Sequence, residues 1–158
     1  MLNYRIIKDY EDFKKNKPLG GRGGPINEND LKNWEVIIPG PLDSPFEGGN
    51  FKVKITLPDD YPNSPPNCCF LTKVFHPNIN FVSGSICVNF LKKTNDKPNM
   101  ARSWTNKKTI CDVIVGLYGL LKFPNQDSPL NSNANDLFRR DQIKYNQVAK
   151  SFTNKFAK

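Results

Sequence analysis

The chain is predicted to be an α+β protein, on three observations. An amphipathic helix opens it, consecutive strand-like segments joined by short turns follow, and helical periodicity returns only after a long aperiodic stretch. Strands joined by short turns must be antiparallel neighbours, so the sheet is expected to be a meander. With 158 residues, one domain over 1–158 can bury a full core.

In the first helix, Ile6, Tyr10 and Phe13 recur at helical spacing with Leu2 on the same face, and Pro18 with the glycines after it ends the pattern. The "GGRGG" at 20–24 is too short for an RGG tract and reads as a flexible turn before a strand. "NWEVIIPG" (33–40) is a short strand closed by Pro-Gly. "NFKVKITL" (50–57) alternates, with Phe51, Val53, Ile55 and Leu57 on one side and Lys52, Lys54 and Thr56 on the other. "DSPFEGG" between them reads as a hairpin loop. A third strand is expected at 67–74, after the break "YPNSPP".

Residues 75–108 show no period, and connections of that length in compact domains are usually functional. Then Ile110, Val113, Ile114, Leu117, Leu120 and Leu121 form one apolar stripe, stopped by Pro124. A short helix is expected around Ala134–Phe138. A last helix should turn Tyr145, Val148, Ala149, Phe152 and Phe156 inward.

Composition narrows the class. No apolar run approaches the roughly 20 residues that span a bilayer. The first residues lack a signal-peptide core, so a cytoplasmic or nuclear protein with reduced thiols is expected, and no membrane partner. Cys68, Cys69 and Cys111 read as small buried apolar residues. With no C-x-x-C pair and a single histidine, no metal site is expected. The formal net charge of +8 is concentrated: residues 92–108 and 139–158 each carry six Lys or Arg against one Asp. Basic surface can meet nucleic acid, a membrane or acidic proteins; no nucleic-acid-binding motif accompanies that charge, so no nucleic-acid partner is expected.

The stretch "HPNINFVSGSICV" (76–88) holds the only histidine, His76, and Cys87. A hydrolytic cysteine needs a base within reach. His76 precedes Pro77, in a restrained turn, and suits a brace better than a base.

Taken in order, "NWEVIIPGPLDSPFEGGNFKVKI", "LPDDYPNSPP", "FHPNI", "GSICVNFL", Trp104 and "LLKFPNQDSPLN" resemble the ubiquitin-conjugating enzyme family over nearly the whole chain. The pairing of His76-Pro77-Asn78 with Gly84-x-Ile86-Cys87 is the specific part. The resemblance implies a four-stranded antiparallel sheet with a helix behind it. It implies that Cys87 accepts ubiquitin or a ubiquitin-like modifier as a thioester from an activating enzyme. The modifier then passes to a lysine of a protein substrate, often with a ligase. No cofactor is implied, since ATP is used by the activating enzyme. Asn78 corresponds to an asparagine assigned two roles, stabilising the oxyanion or bracing the active-site loop. Ser128 matches a position at the mouth of the site, where it can orient or deprotonate the lysine. Asp127 beside it is a second acceptor. His76 and Asn89 take supporting or gating places.

A thioester explains the missing base: one thiolate exchanges for another. The later step needs a lysine amine, ordinarily near pKa 10.4, to lose a proton. The protein supplies placement and a polar group for the oxyanion.

Three departures from the family pattern stand out. Residues 88–103 separate Cys87 from Trp104, more than twice the common short spacing. The insertion there is acidic in some members; here "KKTNDKPNMARS" is basic. It is expected to overhang the cysteine and contact modifier, target or ligase, through groups such as Lys92, Lys93 and Arg102. Asn63 stands where many ligase-dependent members have Phe, and Thr105, Asn106 and Lys107 stand where they often have Ser-Pro-Ala. Asn63 and Lys107 are therefore partner-facing candidates without the usual apolar anchors. The wording is closest to ubiquitin-type members, while SUMO and NEDD8 types share parts of it. A non-catalytic member acting as a binding subunit is the alternative of a different class; such members usually lack the cysteine.

Overall fold

The computed structural model describes residues 3–86, 104–126 and 129–158. Helix α1 (Tyr4–Asn16) leads into strands β1 (Arg22–Asn27), β2 (Asp30–Pro39), β3 (Asn50–Thr56) and β4 (Asn67–Phe70). Helices α2 (Ile110–Lys122), α3 (Ser132–Arg140) and α4 (Gln142–Phe156) follow. The sheet order is β1-β2-β3-β4 with every pair antiparallel, the expected meander.

Asn3 caps α1 by accepting the Arg5 N–H, and Lys17 closes it in the left-handed region with its N–H on Phe13. Ile6 and Phe13 are buried. Tyr10 and Phe13 meet Trp34 edge-on at centroid distances of 5.4 and 5.7 Å, which docks the helix on the sheet. Leu2 lies outside the described residues.

The "GGRGG" expectation needs correction. Gly20 and Gly21 do turn, but Gly23 and Gly24 belong to β1, paired with Val36 and Glu35. A Cβ on Gly23 would stand 2.3 Å from the Glu35 carbonyl oxygen. These glycines permit close backbone approach at the sheet edge, which composition alone reads as a loop.

The alternation in the central strands holds. Trp34, Val36 and Ile38 of β2 and Phe51, Val53 and Ile55 of β3 are fully buried. Each contributes roughly 1.5–3 kcal/mol by leaving water. On the other face Lys52 pairs with Glu35 at 3.2 Å. Strand β4 ends at Phe70, four residues before the expected 74. Beyond it, Leu71 and Thr72 both donate backbone N–H groups to the Lys52 carbonyl, and Thr72 Oγ1 takes the Lys52 N–H, so the ladder breaks.

A reciprocal capping box between Thr109 and Asp112 starts α2. Its Ile110, Val113, Ile114, Leu117 and Leu121 are buried, while Leu120 is only half-buried. In α4, Tyr145, Ala149 and Thr153 are buried and Val148 and Phe152 pack against the core. Phe156 departs from expectation: it is 38% exposed and stacks on Phe152 at 5.9 Å. Thr153 takes the inward place because its hydroxyl donates to the Ala149 carbonyl (2.8 Å), satisfying itself inside the helix.

Cys68 is buried as expected; Cys69 and Cys111 are half-buried, which corrects that part of the reading. Among the described residues no group of three His, Cys, Asp or Glu could hold a metal ion. Nor is any described helix long and apolar enough to cross a membrane.

A polar node joins α1 to two loops. Arg5 Nε pairs with Asp9 (2.9 Å), and the guanidinium donates to the carbonyls of Asn106 (2.6 Å) and Lys108 (2.5 Å). Asp9, only 1% exposed, also accepts the Tyr61 hydroxyl. Trp104 Nε1 donates to Pro62 (2.8 Å). The segments after β3 and before α2 are thereby fixed to each other, with Asn63 and Lys107 exposed on them.

Candidate active site

Burial and hydrogen bonds converge on His76-Pro77-Asn78. His76 is fully buried. Its Nδ1 accepts the Asn78 N–H (3.0 Å), so the neutral ring carries its proton on Nε2 and donates it to the Leu120 carbonyl (2.7 Å). Both ring nitrogens are thus engaged in tying the tripeptide to the end of α2.

Burial pushes the His76 pKa down to about 4, against a smaller upward pull from the Leu120 bond. The unfolded imidazole titrates near 6.5, so between these values the unfolded chain binds the extra proton. The stabilisation is full above pH 6.5 and is lost as pH falls towards 4, by about 3 kcal/mol. Urea unfolding at stepped pH should show this slope. A His76→Gln variant, less stable at pH 7, should lack it; an unchanged slope would assign the acid sensitivity to carboxylates instead.

Asn78 is also fully buried. Its Nδ2 donates to the Asn125 carbonyl (2.6 Å) and its Oδ1 accepts the Asn125 N–H (2.7 Å). Pro77 lends its carbonyl to the N–H groups of Leu130 (2.7 Å) and Asn131 (3.1 Å). The tripeptide therefore holds the chain on both sides of residues 127–128.

The residues that follow it, Ile79 and Asn80, line the chain that leads to Cys87. Ile79, buried, bridges Ile86, and Ser85 bridges Cys69 beside β4. Asn80 Oδ1 accepts the N–H groups of Val82 (3.0 Å) and Ser83 (2.9 Å), a local turn that aspartate and asparagine favour. Gly84 has φ +73°, and a Cβ there would stand 1.9 Å from the Phe70 carbonyl oxygen. Only glycine fits this turn. The Phe81 ring meets Phe152 at 5.0 Å, so α4 supports the same loop.

Cys87, Asn89, Lys92, Lys93, Arg102, Asp127 and Ser128, with the rest of the insertion over 92–103, lie outside the described residues. Of the sequence candidates, the structure brings His76 and Asn78 together. It sets Asn63 and Lys107 apart from them, on the segments tied by Trp104 and Arg5. Sequence reasoning passed over Asn125, the partner of Asn78, and named Gly84 within the motif without assigning its backbone role. The Pro-Asn dipeptide and the lone glycine between serines were the available signs.

A four-stranded antiparallel meander backed by helices, with this tripeptide bound to the end of α2 and to the backbone of Asn125, defines the ubiquitin-conjugating-enzyme fold. The ubiquitin-conjugating enzyme family matches the chain over residues 5–153. The solved E2 domain of a Toxoplasma gondii ubiquitin conjugating enzyme is similar at 30% identity and a TM-score of 0.84, over 98% of this chain and 99% of that one. The chain belongs to the ubiquitin-conjugating enzyme family.

Proposed function

We propose that the protein is an active ubiquitin-conjugating enzyme, one catalytic core domain acting in the cytoplasm or nucleus. Cys87 attacks the thioester carbonyl of the activated modifier, and the activating enzyme's thiolate leaves. A substrate lysine, having lost a proton, then attacks the Cys87 thioester; an isopeptide bond forms and the Cys87 thiolate departs. Ser128 orients the lysine, and the Asp127 carboxylate beside it accepts the proton. Asn78 braces the loop and faces the developing oxyanion. Asn89 gates the site, and the basic insertion, with Lys92, Lys93 and Arg102, meets the modifier or ligase. The protein needs no cofactor of its own, ATP being spent upstream.

The observation that supports this reading is the double role of residues 76–80. One short run holds the chain leading to Cys87, through Ile79 and Asn80, and the two flanks of Ser128, through Pro77 and Asn78. Transfer chemistry demands such joint placement of the nucleophile's loop and the acceptor's loop.

The test is a charging assay with ATP, an activating enzyme and each modifier in turn, resolved with and without reductant. An adduct that reductant removes is expected with ubiquitin. An adduct with only a SUMO- or NEDD8-type modifier would keep the chemistry and change the modifier. No adduct with any matched activating enzyme and modifier would overturn the reading in favour of a binding subunit.

A further inference from the structure

Beyond this reaction, we propose that α4 and the loop before β3 form a docking groove for an acidic, extended segment of a partner protein. Arg139, Arg140, Lys144, Lys150, Lys155 and Lys158 are all exposed, and none forms an ion pair among the described residues. None of the acidic residues nearby, Asp43 in the groove wall included, forms an ion pair with them among the described residues. Asp141 is engaged as the α4 cap, accepting the Lys144 N–H (3.1 Å), and Asp136 stands alone on α3. Such a field attracts anionic partners and speeds their encounter.

The field borders a shaped surface. Ile143, Gln147, Lys150 and Asn154 recur at i, i+4, i+7 and i+11, a single outward stripe of exposed residues, and Lys158 follows two residues past the end of α4. Alongside it runs a depression of about 310 Å³ lined by Asp43, Ser44, Pro45, Asn146, Gln147 and Lys150. At its far end Lys158 Nζ reaches the Gly48 carbonyl (3.4 Å), so the loop and the helix stay side by side along the stripe. From residue 146 to 156 the helix rises roughly 15 Å, the reach of about five extended residues.

The chemistry selects the occupant. Asn146 and Gln147 offer paired donors and acceptors for a peptide backbone, and Asp43 can accept from its N–H groups. Lys150 in the groove and Lys158 at its far end match carboxylates spaced along an extended segment. Ile143 (75% exposed) and Leu42 (63% exposed) offer apolar contacts near the cations. A bilayer fits less well, because the outward stripe is mostly amide and ammonium and lacks an apolar face to insert. Nucleic acid fits less well because no aromatic side chain stands on the stripe for stacking.

The test uses the uncharged protein, so its result is independent of thioester chemistry. A fluorescein-labelled peptide of about ten residues, long enough to span the groove, alternates Glu with Leu; a second carries Gln for each Glu. Anisotropy should show salt-sensitive binding of the Glu peptide and little of the Gln peptide. The K150E/K158E double variant should weaken binding at least tenfold and I143S severalfold. K8E/K15E, with the same change of net charge on α1, should alter it less than twofold. Equal loss in both charge-reversal variants, equal binding of the two peptides, or capture by phosphatidylserine vesicles without peptide binding would each overturn the proposal.

Discussion

Cys87→Ala leaves no reductant-sensitive adduct, and Cys87→Ser yields an adduct that survives reductant. The expectation rests on how poorly the other thiols are placed to substitute. Cys68 is buried, and burial pushes its thiol up to about 12, so it offers almost no thiolate at neutral pH. Cys111 is raised by burial first and then by the carboxylates of Asp12, Asp9 and Asp112. Cys69 is half-buried and directs its S–H at the Ser83 carbonyl (3.1 Å). Loss of Cys87 should therefore lower charging by at least roughly a thousandfold, about 4 kcal/mol in transition-state stabilisation. In the serine variant an alkoxide replaces the thiolate as leaving group. The resulting oxyester resists thiols and passes its modifier on slowly. Gel mobility with and without reductant reads both outcomes. A reducible adduct persisting in Cys87→Ala would mean that another thiol is the acceptor.

Much of the fold was legible because its driving force is periodic. Alternation in 50–57 and the 3.6-residue stripe from Ile110 to Leu121 each correspond to a buried face. What escaped was contact-dependent. Gly23 and Gly24 form a strand only because β2 lies against them, and nothing local marks that. Asp9 looks like a surface residue until Tyr61, 52 positions away, donates to it. The i, i+4 spacing of Arg5 and Asp9 is the one local trace of that node, and sequence reasoning passed over it. At the site, the motif pointed to His76 and Asn78. Their bonding partners, the Leu120 carbonyl and the Asn125 backbone, are main-chain groups, and a sequence of side chains does not display them. The same limit applies to α4. Its charge was plain, but its groove depends on a loop about a hundred residues earlier in the chain.

Asn78→Ala should lower both stability and lysine discharge, and the joint loss distinguishes two roles for this side chain. The amide closes a two-bond ring with the backbone of Asn125, at 2.6 and 2.7 Å, inside a fully buried setting. Alanine leaves an N–H and a carbonyl without those partners, at about 1–3 kcal/mol for each group not rescued by water. A net loss of about 2 kcal/mol would lower Tm by about 4 to 8 °C in a domain of this size. The segment carrying Asn125 would loosen from the tripeptide, and with it the flank of Ser128. Single-turnover discharge to free lysine should fall at least tenfold, and charging by the activating enzyme should fall as well, because the Cys87 approach shares the same frame. An asparagine acting only on the oxyanion would behave otherwise. Discharge alone would drop, by about a hundred- to a thousandfold, with Tm unchanged. Asn78→Asp sharpens the comparison: it keeps an acceptor for the Asn125 N–H but sets a carboxylate oxygen against the Asn125 carbonyl. Bracing predicts an even greater loss of stability there, since a buried charge is added to a broken bond. Thermal melts and discharge rates on the same three proteins decide the matter, and a discharge defect without a stability defect would defeat the brace.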